Sequence, residues 1–185
     1  MINGKKIYLR PLENNDIDFM LSLVNNQELA YWEGRNEFLI TKSAQKEWFL
    51  KNLKNGHRFI ICEKETNIEL GYFSFKITNQ ISNCGLVAIK LIKESRGKSI
   101  GTDSLKTAMS FLFNKINIHR LHTHIIDYNK ASLRLFEKCN WTIEGKERKG
   151  IFMNNVYHDN ILLSILKEEY FLKEDAYYKN LFKFS

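Results

Sequence analysis

Hydrophobic and polar positions change period several times along the chain, and each change marks an element. "KKIYLRPL" (Lys5–Leu12) alternates and predicts a first strand, ended at Pro11, the single proline. Ile17, Met20, Leu21 and Val24 then recur at i, i+3, i+4 and i+7, predicting an amphipathic helix with Asn14, Asn15 and Asp16 as caps. A second helix is expected to start near Ser43 and to carry Ala44, Trp48, Phe49 and Leu53. "RFIICEK", "LGYFSFKI" and "CGLVAIKLI" follow as three strands, with turns at Asn67 and "TNQISN". Leu105, Met109, Leu112 and Ile116 mark a long helix, "RLHTHII" a strand, and Ala131 to Cys139 a short helix. "WTIEGKER" and "NVYHDNILLSIL" close the series as a hairpin, and Tyr170 to Phe184 reads as a terminal helix. A strand, two helices, a three-strand meander and then β–α–β–α–β–β is the α/β pattern of a mixed sheet with helices on both faces.

Composition narrows the class. A chain of 185 residues, 44% hydrophobic and 26% charged, fits one domain over 1–185, with about 167–185 as a helical extension packed on it. No apolar run approaches ~18 residues, and "MINGKKIYLRPL" lacks a secretory apolar region, so no membrane partner and a cytoplasmic location are expected. Cys62, Cys84 and Cys139 are odd in number and lack metal spacing, which reads as reduced thiols. The net charge is +7, and the stretch from Lys90 to Lys138 holds ten basic against four acidic residues, so it carries +6 of that excess. Such a run is a solvated face or the seat of an anionic partner.

Within that basic stretch, "IKLIKESRGKSIGTDSL" (Ile89–Leu105) passes from strand through two glycines into a helix. A helix N-terminus has unpaired N–H groups and partial positive charge, and glycine lets the backbone approach an anion closely. The spacing is neither that of a Walker A loop nor G-x-G-x-x-G. Downstream, "HRLHTHIIDYNKASLRLFEKCNW" supplies a strand, Asn129, a short helix and an aromatic residue opening the next strand.

Together these segments resemble the GCN5-related N-acetyltransferase superfamily. "YLRPLENNDID", "NKASLRLFEKCNW" and the late "EG…VYHD…IL…EY" look like its branch that acetylates protein N-termini, including ribosomal-protein alanine and serine acetyltransferases. The resemblance implies an acyl-CoA N-acyltransferase fold, acetyl-CoA as acetyl donor and a primary amine as acceptor. It implies that Arg96 and the amides from Gly97 through Lys98, Ser99, Ile100 and Gly101 to Thr102 cradle the pyrophosphate of coenzyme A. The backbone of Ile89, Lys90 and Leu91 would pair with the pantetheine arm, and Asn129 would touch it farther down. Three positions depart from the pattern. Ser99 replaces a glycine and is expected to serve if its φ need not be positive. Asn140 replaces another, where asparagine suits a left-handed residue. Phe136 occupies the place of a tyrosine that protonates the leaving thiolate in many relatives, and phenylalanine has no proton to give.

Candidate chemistry follows. A main-chain N–H near Leu91 is the candidate oxyanion donor. His124, five residues before Asn129, is the candidate base, since an imidazole accepts protons near neutral pH; its alternative is a satisfied sheet histidine. His122 shares its face, but no third ligand has helpful spacing and no metal is expected. Ser132 either assists thiolate departure or packs in the first turn of its helix. Tyr31 and Glu33 in "AYWEGRN", with Tyr157 and Asp159 in "VYHDN", are candidate acceptor contacts. Cys139 is expected to be buried and not to form an acetyl-enzyme. A peptide α-amine surrenders its proton more easily than a lysine-like amine, by about 3 kcal/mol, so a site without a strong base should favour protein N-termini. A polyamine, an aminosugar, an aminoglycoside, or a non-catalytic acyl-CoA or nucleic-acid module stay open; "no nucleic acid" is the preferred reading, and the state is monomer or homodimer.

Overall fold

Both faces of one eight-stranded sheet are covered, because its central strands are apolar at consecutive positions. The computed structural model describes residues 1–35, 39–52 and 57–182. The elements are β1 (Ile2–Asn3), β2 (Ile7–Pro11), α1 (Ile17–Val24), α2 (Gln27–Trp32), α3 (Lys42–Asn52), β3 (His57–Glu63), β4 (Glu69–Asn79) and β5 (Cys84–Leu91). They continue with α4 (Ile100–Asn114), β6 (Arg120–Ile126), α5 (Lys130–Lys138), β7 (Thr142–Met153), β8 (Val156–Leu166), α6 (Lys167–Lys173) and α7 (Ala176–Lys179). Strand order is β1-β2-β3-β4-β5-β6-β8-β7. The β5–β6 pair is parallel, and the other pairs are antiparallel.

Alternation assigns the two faces. Phe59, Ile61, Phe73, Phe75 and Val87 join α4 and α5 in the larger core. Ile60, Cys62 and Tyr72 face the other way, against α1 and Phe49 of α3. "RFIIC" therefore buries neighbouring residues on opposite sides. The turn between β7 and β8 holds Asn154 and Asn155 at φ 50° and 61°, the paired left-handed geometry that a tight hairpin needs.

Several boundaries differ from the sequence reading. The expected capping run Asn14–Asp16 is itself a 3-10 turn, and Asp16 is buried against Arg10 at 2.7 Å. Helix α2 was not expected, although Asn26 caps it by accepting from the Leu29 N–H at 2.9 Å. Leu53, expected on α3, and Phe184, expected at the end of the tail, lie outside the described residues. The tail forms two short helices rather than one, because the backbone is extended at Glu174 and Asp175. Tyr170 and Tyr178 are buried, and Lys106 of α4 pairs with Glu174 at 2.5 Å, so the tail packs on α4. No helix among the described residues is long and apolar enough to cross a membrane.

Candidate active site

Strands β5 and β6 run together for three rungs only, Cys84↔Arg120, Gly85↔Leu121 and Leu86↔His122, and then separate. Beyond the last rung a side chain takes over: the Thr123 hydroxyl donates to the Val87 carbonyl at 3.0 Å. Val87 thus turns its main-chain groups toward β6, and period two turns those of Ile89 and Leu91 the same way. The amide of Ile92 confirms the parity, since it points to β4 and donates to the Leu70 carbonyl at 3.0 Å. Ile89 and Leu91 therefore present their peptide groups to an open notch between the strands.

The notch continues into a cavity of about 570 Å³. Strand β5 contributes Ile89, Lys90 and Leu91 to it, the loop Arg96, Gly97 and Ser99, and α4 Gly101 and Thr102. Asn129 and Ser132 line the far wall with Arg134 and Lys138. Helix α4 has no side-chain cap. Its first intrahelical bond is from the Asp103 N–H to the Ser99 carbonyl at 3.0 Å, so the amides of Ile100, Gly101 and Thr102 have no acceptor one turn back. Exposed amides at the start of a long helix, with Arg134 and Lys138 beside them and Arg96 paired with Glu28 at the rim, form a lining that can receive an anion. A Cβ on Gly101 would come within 3.1 Å of Leu91 and 3.2 Å of Leu135, so glycine here lets α4 close on β5 and α5.

Two loop positions differ from expectation. Ser99 lies at φ 65°, so the condition that it avoid positive φ is not met; it holds the left-handed position that glycine would take. Ile100 turns into the core and Lys98 lies off the cavity, where its carbonyl accepts from Lys6 Nζ at 3.1 Å. Asn140 takes the expected left-handed geometry at φ 64°.

A second cavity, of about 580 Å³, opens on the opposite face of β5. Its floor is the row Leu86, Ala88 and Lys90 of β5 beside Tyr72, Ser74 and Lys76 of β4. Helices α1 and α3 roof it with Met20, Val24, Ala44 and Trp48. Lys90 belongs to both cavities. Its ammonium lies 2.8 Å from the Glu33 carboxylate, which Arg35 also holds at 2.5 Å. Glu33 thus sits where the two spaces meet, flanked by two cations that keep its oxygens engaged.

The other candidates are distributed around this centre. His122 and His124 alternate with the buried Leu121, Thr123 and Ile125, so His124 shares the sheet face of Leu86, Ala88 and Lys90 and is exposed there, but it lines neither cavity. The His122 ring is 5.9 Å from that of His124 and hydrogen-bonds the Thr78 hydroxyl at 3.0 Å. Burial, with His124 and Arg120 nearby, holds His122 below the ordinary imidazole range. Asn129 caps α5 by accepting from the Ser132 N–H at 3.0 Å and donates to the Trp32 carbonyl at 2.8 Å, tying α2 to the cavity wall. Tyr31 stacks on Tyr128 at 4.8 Å and lines neither cavity.

Tyr157 and Asp159 are not brought to the cavities. Tyr157 is exposed against Phe152, and Asp159 holds Lys146 at 2.6 Å and the Lys149 amide at 2.9 Å within the hairpin. Phe136 is buried with its ring edge-on to Trp141 at 4.8 Å. Cys139 is buried, and burial pushes its thiol up to about 12, which leaves it a poor nucleophile. Sequence reasoning missed Arg58 and Lys76, whose meeting depends on strand register, Arg35, which the loop after α2 brings to the same cavity, and α2 itself, for which Asn26 ahead of "QELA" was a readable start signal.

Comparisons with known proteins agree with this architecture. Residues 6–142 match the Acetyltransferase (GNAT) domain family. Spermidine N(1)-acetyltransferase of Vibrio cholerae is 25% identical over 172 residues, covering 90% of this chain and 96% of that protein. The putative ribosomal N-acetyltransferase YdaF of Bacillus subtilis is 26% identical over 178 residues, covering 90% and 94%. The crystal structure of the Vibrio cholerae spermidine N-acetyltransferase in complex with CoA and spermine superposes with a TM-score of 0.84 at 22% identity, over 91% of this chain and 99% of that one. These relatives include a polyamine and a ribosomal enzyme, so they establish the family and not the N-terminal branch. With the split strands, the uncapped helix and the match over most of its length, the chain belongs to the GNAT acetyltransferases and is an acetyl-CoA-dependent N-acetyltransferase acting on an amine.

Proposed function

We propose that the enzyme acetylates a small primary amine of lowered basicity, a peptide-like α-amine or an aminosugar amine, which enters through the cavity beneath α1 and α3. The observation that carries this reading is the pair of cavities meeting at Lys90 and Glu33 from opposite faces of β5. Bound in the first cavity, acetyl-CoA supplies an acetyl thioester. The amides of Gly101 and Thr102, with Arg96, Arg134 and Lys138, hold the phosphates, and the peptide groups of Ile89 and Leu91 align the arm as an added strand. The Leu91 N–H points into the notch and donates to the carbonyl oxygen as charge develops there. His124, on the sheet face of Lys90 but outside the linings of both cavities, takes the proton that the attacking amine loses, directly or through one water. The Ser132 hydroxyl, at the start of α5, donates a hydrogen bond to the departing sulfur. With Phe136 buried, that position supplies no acid, and with Glu33 engaged by two cations the site has no strong base in place. Both facts favour an amine that gives up its proton readily.

A second reading is acetylation of a polyamine, which the similarity to spermidine N(1)-acetyltransferase favours. Competition at neutral pH among an Ala-starting peptide, an N-blocked lysine peptide, glucosamine and spermidine, with products resolved by mass, separates the two. Preferential acetylation of spermidine would establish the second reading. His124→Ala should lower kcat by ~10²–10⁴-fold with coenzyme A affinity retained, and unaltered turnover at saturating acceptor would remove His124 from the mechanism.

A further inference from the structure

Helix α2 lines the first cavity with Glu28, Leu29, Trp32 and Glu33. Arg96, on the loop ahead of α4, lines the same cavity and is bound in an ion pair to Glu28. We propose that Glu28 is a built-in competitor for the cofactor: its carboxylate and a phosphate of coenzyme A contend for the Arg96 guanidinium, so Glu28 sets cofactor affinity below what the same cavity would reach without it. This rests on the reading of the first cavity as the cofactor site.

Two carboxylates line this cavity among the described residues, Glu28 and Glu33, and they are held differently. Glu33 is shared by Lys90 and Arg35, and the Lys90 and Glu33 side chains are only 19% and 25% exposed. The Arg96–Glu28 pair lies nearer to solvent, at 35% and 42%. The hydrogen bond from Arg96, with Lys93 nearby, holds the Glu28 carboxyl below the usual carboxylate range, so it is charged at neutral pH. An ion pair at that exposure is weak and screened by salt, and so is readily exchanged for a better partner. The other end of α2 is fixed. The Trp32 carbonyl accepts from Asn129 at 2.8 Å, and the Tyr31 carbonyl from the Tyr128 hydroxyl at 2.5 Å. Cofactor entry therefore asks only the contact at the first turn of α2 to yield.

A phosphate is the better partner for two reasons. Arginine donates to it bidentately, through a charge-assisted pair of hydrogen bonds. The amides of Ile100, Gly101 and Thr102, which have no acceptor one turn back, are additional donors in the same cavity. Only the Arg96 side chain has to move, because its backbone is tied: its N–H donates to the Lys93 carbonyl at 3.2 Å. The next residue, Gly97, turns the chain at φ 75°, and a Cβ there would meet nothing within 4 Å, so the space beside Arg96 is open.

The test is calorimetry of coenzyme A on the full-length enzyme, on Glu28→Gln, on Arg96→Gln and on the double variant, with thermal unfolding of each to show that it is folded. Glu28→Gln should tighten coenzyme A by at least 2-fold and up to about 5-fold at low salt, and by less at high salt. Glu28→Ala repeats the measurement without a side-chain amide. Arg96→Gln should weaken binding, and adding Glu28→Gln to it should then bring no gain, because the competitor has nothing left to hold. The proposal is overturned if both Glu28 variants gain less than 2-fold. It is equally overturned if the gain persists undiminished without Arg96, which would make Glu28 a plain source of repulsion. Parental affinity in Arg96→Gln overturns it too, while leaving the cavity assigned to the cofactor. Absence of coenzyme A binding in the parent would overturn that assignment itself, and this inference with it.

Discussion

At the scale of single residues, two side chains at the head of α4 do opposite things. Ser99 accepts a left-handed backbone at φ 65°, which costs an L-residue roughly 1–2 kcal/mol. Ser99→Gly should therefore raise stability by about 1 kcal/mol, or about 2–4 °C in Tm for a chain of this size, with coenzyme A affinity retained. An unchanged or lower Tm would mean that the serine makes a compensating contact. Asp103, four residues on, is buried and accepts from the amides of Lys5 at 2.8 Å and Ile7 at 3.1 Å and from the Tyr178 hydroxyl at 2.9 Å. It pins the N-terminal turn and the tail to the helix that heads the first cavity. Asp103→Ala should cost about 3 kcal/mol or more, measured by denaturant unfolding, because several buried donors lose their acceptor together. Nothing in its sequence context separated it from a routine first-turn acid.

At the scale of elements, the site is made by two helices meeting one split pair of strands. Arg134 and Lys138 are spaced i, i+4 on α5, so one face of that helix carries both to the rim of the cavity that α4 heads. Reversing both, Arg134→Glu with Lys138→Glu, should weaken coenzyme A binding at least 10-fold at low salt and narrow the difference at high salt, since exposed charges are screened. Calorimetry at two ionic strengths checks this, and an affinity equal to the parent's would mean that the cradle depends on backbone amides alone. The glycine loop, α4 and α5 were all legible as elements, because each has strong periodicity and turn chemistry. Helix α2 was less so: six residues are too few for an apolar period to declare itself.

At the scale of the whole molecule, the far edge of the sheet contains a pH-sensitive tie. Hydrogen bonds from Arg120, with help from Ser164, hold the Glu144 carboxyl down at about 2 despite partial burial. Arg120 and Glu144 link β6 to β7 across β8. A carboxylate whose folded pKa lies below its unfolded value adds stability above pH ~4.5 and loses it as pH falls toward 2. The pair is partly exposed, so its contribution is under about 1 kcal/mol. Glu144→Gln should be less stable than the parent at neutral pH, with the difference shrinking in acid unfolding near pH 2; a difference independent of pH would assign the loss to packing. The sequence by itself determined the order of the main strands and the longer helices, the glycine turn ahead of α4 and the basic stretch around it, because these depend on local period, turn chemistry and charge. It also carried the family likeness through contiguous motifs. Tertiary structure alone decided which cations share a cavity, that Glu33 bridges Lys90 and Arg35, that Tyr157 and Asp159 stay on the hairpin, and that Ser99 adopts positive φ. Those outcomes depend on the register of β3, β4 and β5 and on the angle at which β5 leaves β6, and both are set by packing between residues far apart in the chain.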